Sequence, residues 1–302
     1  MAATVAGDGA GLRTWLRTLR VHQYVKNSLV LVPIVTSHQF NFIAITSALI
    51  AFVAFSLCAS AVYIINDLVD VEEDRRHPTK KHRPLASGAI SPWKARAAVP
   101  VLLALGFASA AAVSMKFSLV LLGYLVLTTA YSISLKRKML VDVIVLAMLY
   151  TARVIAGAIA IEVELSAWLL AFSMFMFLSL SLMKRYSELA LRIDHNLADP
   201  SNRNYKRDDL VIVGCLAVST GFNAVTILAL YISSPAVQQL YAHPEILWLI
   251  CPVLTYWIGR FMILAHRRMM DDDPIVFAIN DRVSRFAGLF TIGLVLLAMW
   301  KP

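Results

Sequence analysis

The 302 residues are 59% hydrophobic and 16% charged, with a formal net charge of +9 and a mean hydropathy of +0.69. Soluble domains carry about 25% charged residues, so the composition excludes an ordinary soluble domain and indicates a chain that crosses a membrane many times. Cys58, Cys215 and Cys251 all lie in apolar stretches without paired spacing, which excludes a disulfide framework and a cysteine metal site.

Nine apolar segments follow in order, approximately 21–37, 42–66, 93–113, 117–135, 139–161, 165–183, 209–232, 244–266 and 283–300. Each is near the ~17–25 residues that cross a bilayer. The first is the weakest, because Pro33 interrupts it and its start is polar. No small-residue cleavage pattern follows it, so it reads as a retained helix, not a signal peptide. The whole chain, 1–302, is expected to be one transmembrane domain, with residues 1–19 a flexible N-terminal stretch. The stretches 67–92 and 184–208 are expected to be its two long polar loops.

Lys and Arg set the orientation. With nine spans, only Lys116 and Lys301 of the 28 basic residues fall on one side, while Arg153 and Arg260 lie inside spans. The basic side is expected to be cytoplasmic, with the N-terminus inside and the C-terminus outside. Membrane orientation accounts for much of the positive charge, and no nucleic-acid-binding motif is present.

Arg20, Gln23 and Asn27 recur at i, i+3 and i+7, with Lys26 adjacent. Interfacial anchoring explains Arg and Lys, but Gln and Asn on one stripe favour a site-facing surface. After the second span comes Asn66-Asp67-Leu68-Val69-Asp70, continuing to Asp74. If the helix continues, Asp67, Asp70 and Asp74 share a face roughly 60° wide, with Asn66 beside Asp70 and Glu72 pointing away. Three mutually repelling carboxylates suit a divalent cation, Mg²⁺ above all, shared with substrate phosphates. A solvated acidic helix end is the competing reading.

The next loop carries His77, Lys80, Lys81, Arg83, Pro84 and Gly88, and its basic residues are placed to meet phosphate oxygens. Tyr131 and Lys136 close the fourth span. Asp142 and Arg153 lie within the fifth span, where an ionisable group usually faces a cavity or a partner, although Asp142 is close enough to the interface for simple solvation. Lys184, Arg185, Tyr186 and Glu188 follow the sixth span, where a helical salt bridge to Glu188 is the simplest account. Asp194, His195 and Asp199 show no metal spacing. The last polar loop carries Asp271–Asp273 and Asp281, and Asp281 or Ser284 is expected to cap the final helix.

Asn66-Asp67-x-x-Asp70-x-x-x-Asp74, with Arg83-Pro84-Leu85 and Tyr131…Lys136 downstream, resembles the UbiA superfamily of intramembrane prenyltransferases. The resemblance covers nearly the whole chain. It implies an all-α, nine-helix transmembrane bundle with a central cavity open to the cytoplasmic face and laterally to lipid. It also implies Mg²⁺ at Asp67, Asp70 and Asp74. Ordinary members carry a second Asp-x-x-x-Asp motif where this chain has Lys184-x-x-x-Glu188 with Arg185. That departure, and the segment 273–285, look like the decaprenyl-phosphate phosphoribosyltransferase branch, from cell-wall arabinan synthesis. The branch implies transfer of 5-phosphoribose from 5-phosphoribosyl 1-pyrophosphate to a polyprenyl phosphate. Asp67, Asp70, Lys184, Arg185 and Glu188 would be the catalytic set. Arg20, Gln23, Lys26, Asn27, Asn66, Lys80, Lys81, Arg83, Tyr131, Lys136, Arg153 and Tyr186 would bind substrate. The runner-up is prenyl transfer from a polyprenyl diphosphate to an aromatic acceptor. An ion-coupled transporter is less suited, because transporter sites lie near the midplane. Polyprenyl length and oligomeric state are left open.

Overall fold

Lipid cannot satisfy backbone N–H and C=O groups, so long apolar runs without prolines or polar breaks become helices. Among the described residues eight helices are long and apolar enough to cross a membrane. The computed structural model describes residues 11–76, 80–200, 203–270 and 274–300, with no strand among them. His77–Thr79 and Asp271–Asp273, both singled out in the sequence, lie outside the described residues, as do residues 1–10. The chain falls into two compact units. One is Met1–Ser132 with Ala152–Glu164, and the other is Ile133–Thr151 with Leu165–Pro302.

The first unit begins with α1 (Leu12–Thr18), a 3-10 helix (Val21–Leu31) and α2 (Val32–Thr36), which carries Pro33 in its first turn. Then come α3 (Phe42–Val69), α4 (Val71–Arg76), α5 (Pro92–Val113) and α6 (Met115–Ile133). Asn41 caps α3 by accepting from Ala44 N at 2.8 Å. Small buried residues on α3 (Ala48, Ala51, Ala54) line its packed face, and Phe55 meets Phe117 and Tyr124 of α6 with ring centroids 6.0 and 5.0 Å apart. Helix α7 (Val141–Ala160) contributes its later residues to this unit and its earlier ones to the other.

The first apolar segment, expected as one spanning helix over 21–37, is not among the eight. At the 3-10 rise of ~2.0 Å per residue, the two short elements still extend over about 30 Å. The 3-10 form also corrects the stripe expected there. With three residues per turn, Arg20, Gln23 and Lys26 share a face, and Asn27 leaves it to join Tyr24 and Val30. That second face packs on α3: Tyr24 Oη pairs with Ser60 Oγ at 2.8 Å, and Asn27 Nδ2 donates to Ser56 Oγ at 3.1 Å. On the opposite side, a Cβ at Gly157 of α7 would collide with the Val30 carbonyl, so glycine permits this approach.

The second unit contains α8 (Ala167–Asp194), α9 (Leu210–Ile232), α10 (Pro235–Leu240), α11 (Ile250–His266), α12 (Pro274–Asn280) and α13 (Arg282–Met299). The sixth span was expected to end at residue 183, with a loop from 184. Instead α8 continues to Asp194, because Arg185, Tyr186, Leu189 and Ala190 keep a buried face at helical spacing. The Lys184–Glu188 motif is therefore helical.

Asp281 caps α13, as expected, accepting from Ser284 N at 2.8 Å. It also takes both terminal nitrogens of Arg260, at 2.6 and 3.0 Å, supplying the partner that a charge within α11 requires. Arg260, aided by Ser284, holds the Asp281 carboxyl down to about 2. A carboxyl depressed in the fold stabilises it above the ordinary range near pH ~4, and that contribution fades as pH falls toward 2. Asp281→Ala should cost at least the ~1 kcal/mol of a lost cap. Thermal melting in detergent should show a lowered Tm at pH 7 and a smaller loss of Tm between pH 4 and 2 than in the wild type.

Candidate active site

In the first unit the acidic motif straddles a helix break. Helix α3 ends at Val69 and Asp70 is its C-cap, while Asp70 N and Asp74 N still donate to the carbonyls four residues back, at 2.9 and 2.8 Å. Asp67 and Asp74 are buried, whereas Glu72 and Glu73 are exposed. Asp70 is half-buried, and its side chain makes no ion pair or hydrogen bond among the described residues. The middle carboxylate therefore takes no part in the pairing made by the other two.

That pairing is made by arginines. Arg83 Nη1 lies 3.2 Å from Asp67 Oδ1 and 2.7 Å from Asp74 Oδ2, so one cationic nitrogen sits between two carboxylates. Arg20 Nη2 reaches the same Asp67 oxygen at 2.5 Å, with its guanidinium 4.9 Å over the Tyr63 ring. The loop's own sequence delivers Arg83. Leu85 is buried with Ile64, Ile90 and Ala95. Ser87 N donates to Arg83 O at 2.9 Å, Gly88 turns the chain at φ +79°, and Ile90 N donates to Pro84 O at 3.1 Å. The Arg-Pro-Leu motif thus works as anchor and arm together. Two carboxylates face two guanidiniums, an arrangement suited to exchanging its cationic partners for those of a phosphate–cation complex.

Other expected residues of this unit are placed as follows. Asn66 Nδ2 donates to Ser132 Oγ at 3.3 Å. Buried Arg153 donates to Asn27 Oδ1 at 3.0 Å and to Tyr124 Oη at 2.8 Å, stacking over the Tyr124 ring. The cavity or partner expected for this intramembrane cation is thus met by neutral oxygens and a ring face. Gln23, Lys26 and Tyr131 are half-buried, and Lys80 and Lys81 are exposed.

The second unit has a matching cluster. Arg185 is fully buried and joins two carboxylates: Glu188 three residues on, and Asp142 Oδ2 of α7 at 3.0 Å. Asp142 is itself fully buried, so of its two readings, a partner or simple solvation, the partner holds. Its other oxygen accepts from Tyr205 Oη at 2.7 Å, and Tyr205 Oη accepts from Leu140 N at 2.9 Å. Burial, then the bond to Asp142, pushes the Tyr205 phenol up, so it remains a hydroxyl at physiological pH. Arg203 Nη1 approaches Asp142 at 3.6 Å and Glu188 at 3.9 Å. Lys184 and Lys136 are half-buried, while Tyr186 is buried and pairs with His266 Nδ1 at 2.8 Å. Arg185 is therefore an internal tie, not an exposed anion ligand, and Tyr186 is enclosed by protein. Arg203 and Tyr205 were not singled out from the sequence. The one signal for them is a tyrosine among charged residues in the connector before α9.

Residues 30–280 match the model of the UbiA prenyltransferase family. An uncharacterized Sinorhizobium fredii protein, y4nM, is 38% identical over 95% of the chain, which spans 56% of that protein. Nodulation protein NoeC of Azorhizobium caulinodans is 34% identical over 94% of the chain and 93% of its own length. A decaprenyl-phosphate phosphoribosyltransferase of Mycobacterium tuberculosis is 38% identical over 58% of the chain and 60% of its own length. In fold, the chain is similar to a UbiA homolog from Archaeoglobus fulgidus bound to GPP and Mg²⁺. The TM-score is 0.67 at 18% identity, over 95% of this chain and 99% of that one. The chain belongs to the UbiA prenyltransferase family and is an all-helical integral membrane protein.

Removing one partner of a buried ion pair leaves an uncompensated charge and costs about 3–5 kcal/mol. Asp142→Ala should therefore destabilise the protein by about that amount, because Arg185 has no water to turn to. Asp142→Asn, which keeps an acceptor for Tyr205, should lose less. Thermal melts of the two detergent-solubilised variants against the wild type give the comparison.

Proposed function

We propose that this protein transfers 5-phosphoribose from 5-phosphoribosyl 1-pyrophosphate to a polyprenyl monophosphate, decaprenyl phosphate in the relative's case. The products are the polyprenylphosphoryl 5-phosphoribose and pyrophosphate, and the chemistry takes place on the cytoplasmic face. The observation that carries this reading is the second cluster, where Arg185 and Arg203 face Asp142 and Glu188, with Lys184 half-buried on the same helix. A cluster whose two carboxylates are already matched by two arginines suits substrates that both bear phosphate better than one that must gather a second metal from two aspartates. The partial similarity to a decaprenyl-phosphate phosphoribosyltransferase supports it.

The reaction is a substitution at the anomeric carbon. A lipid phosphate oxygen forms the new C–O bond as the bond to pyrophosphate breaks, and the pyrophosphate takes the electron pair. The lipid phosphate is already ionised near neutral pH, so no strong general base is required. The protein's task is to align the two phosphate-bearing groups and to keep water away from the carbon.

The first cluster fits a divalent cation. Arg83 Nη1, one nitrogen of a delocalised guanidinium cation, already lies between oxygens of Asp67 and Asp74, and Asp70 holds a further carboxylate one turn away. No group of three or more potential ligands is preassembled among the described residues. Oxygen donors of this kind suit Mg²⁺, and Asp67, Asp74 and Asp70 would hold it. When bound, it supplies Lewis-acid neutralisation of the pyrophosphate charge. Arg20 and Arg83, released from the carboxylates, bind phosphate oxygens, as do Lys80, Lys81 and Lys136. Gln23, Lys26, Asn66 and Tyr131 orient the substrates, while Arg153 and Asn27 set the wall that carries the first 3-10 helix. Glu188 accepts from a ribose hydroxyl. Lys184 contributes charge to a phosphate.

Asp67→Asn and Asp70→Asn should each reduce turnover to near background without loss of fold, and EDTA should do the same reversibly. The assay is labelled lipid formed from labelled phosphoribosyl pyrophosphate and polyprenyl phosphate in membranes. Near-wild-type turnover of either variant at limiting Mg²⁺ overturns the assignment.

Lys184 separates this reading from prenyl transfer to an aromatic acceptor. Lys184→Ala should lower kcat/KM by one to two orders of magnitude, the worth of a charge-assisted contact of about 1.5–3 kcal/mol. Lys184→Asp should be worse still for phosphoribosyl transfer, since it sets an anion against an anion. If Lys184→Asp instead gains activity with a polyprenyl diphosphate and an aromatic acceptor, the prenyl-transfer reading replaces this one.

A further inference from the structure

The two clusters share a plan that the family motifs do not describe. In the first unit, a long helix, α3, ends in the acidic motif, and a loop then returns Arg83 to it, sixteen residues after Asp67. Leu85, two residues beyond that arginine, pins the loop into the core. In the second unit another long helix, α8, carries Arg185 and Glu188, and the connector after it returns Arg203 to the same carboxylates. Two residues beyond Arg203, Tyr205 plays the part of Leu85. It is buried, lies against the Arg185 guanidinium at 5.7 Å, and bonds Asp142 and Leu140 N through its hydroxyl. Each unit therefore has two carboxylates, one arginine bridging them, and a second arginine brought in by an anchored connector or by the chain before the cluster.

The second unit's arginines keep donor capacity that their carboxylates do not use. Arg203 Nη1 is buried and has no hydrogen-bond acceptor among the described residues, and its approaches at 3.6 and 3.9 Å are too long for one. Arg185 Nε is likewise buried and unsatisfied. Buried charged donors that make no hydrogen bond cost more than an ordinary contact returns, so they favour an acceptor of high charge density. Arg203 is partly exposed where Arg185 is enclosed, which makes it the arginine of this cluster that a ligand can reach.

We infer that Arg203 is a phosphoryl-oxygen ligand of the second cluster, held in place by Tyr205 acting as a positioning residue. The inference rests on the phosphoribosyl-transfer reading for the identity of the substrates, but not for the anion chemistry. The phosphoryl group belongs either to the sugar phosphate or to the polyprenyl phosphate, and the two sources are separable.

The test compares wild type, Arg203→Ala, Arg203→Lys and Tyr205→Phe, each first shown by thermal melting to be folded in detergent. Arg203→Ala should raise KM for one substrate on the order of tenfold with a smaller change in kcat. A rise for phosphoribosyl pyrophosphate assigns the sugar phosphate, and a rise for the lipid assigns its phosphate. Arg203→Lys should recover part of the loss, since it keeps charge but loses the planar fork. Tyr205→Phe should raise the same KM by less, with the ring still against Arg185. Calorimetric titration with inorganic pyrophosphate provides an arm independent of turnover, and Arg203→Ala should bind it more weakly and with less dependence on salt. If the wild type makes no labelled lipid but the pyrophosphate difference persists, the transfer reading fails and Arg203 stands. If Arg203→Ala matches wild type in both KM values and in pyrophosphate binding, the inference is wrong.

Discussion

A guanidinium between two carboxylates is the interaction on which each half of this protein depends. Charge inside an apolar helical bundle is tolerated only when it is paired and hydrogen-bonded. Arg83 between Asp67 and Asp74, and Arg185 between Asp142 and Glu188, meet that condition with side chains from separate stretches of the chain. The pairing lets acidic motifs sit at the ends of long hydrophobic helices without a metal to hold them.

The loops that make these pairs are shaped by apolar anchors. Leu85 is buried beside Ile64 of α3, and this fixes the position from which Arg83 reaches back. Tyr205 does the equivalent in the second unit, with the added demand that its hydroxyl find partners, which Asp142 and Leu140 N supply. A polar site at a membrane face is thus held by hydrophobic burial on one side and by hydrogen bonds on the other.

The 3-10 helix Val21–Leu31 is the other unusual element. Runs of this length are uncommon because the hydrogen bonds are poorer than in an α-helix. Here the three-residue repeat is what lets Tyr24 and Asn27 meet Ser60 and Ser56. The side chains it satisfies include Arg153, whose partners Asn27 and Tyr124 are neutral oxygens with a ring face. The polar bonds and the close approach at Gly157 offset what the backbone loses.

The amino-acid sequence by itself determined the class of the fold, since a chain this apolar can satisfy its backbone in lipid only as helices. It also determined the cap at Asp281, because a cap depends on spacing within one turn. Residues far apart in the chain were decided only by the tertiary structure. Asp142 allowed either a partner or simple solvation, and only packing shows it enclosed beside Arg185 and Tyr205. The stripe through Arg20, Gln23 and Asn27 assumed an α-helical period, and contacts with α3 and α7 imposed a 3-10 period instead. Helix α8 ran past the end of its apolar stretch because its later polar residues gained buried partners. A local pattern carries no information about which distant side chain will neutralise a charge, and in a low-dielectric bundle that partner decides whether a residue is a ligand, a tie or a wall.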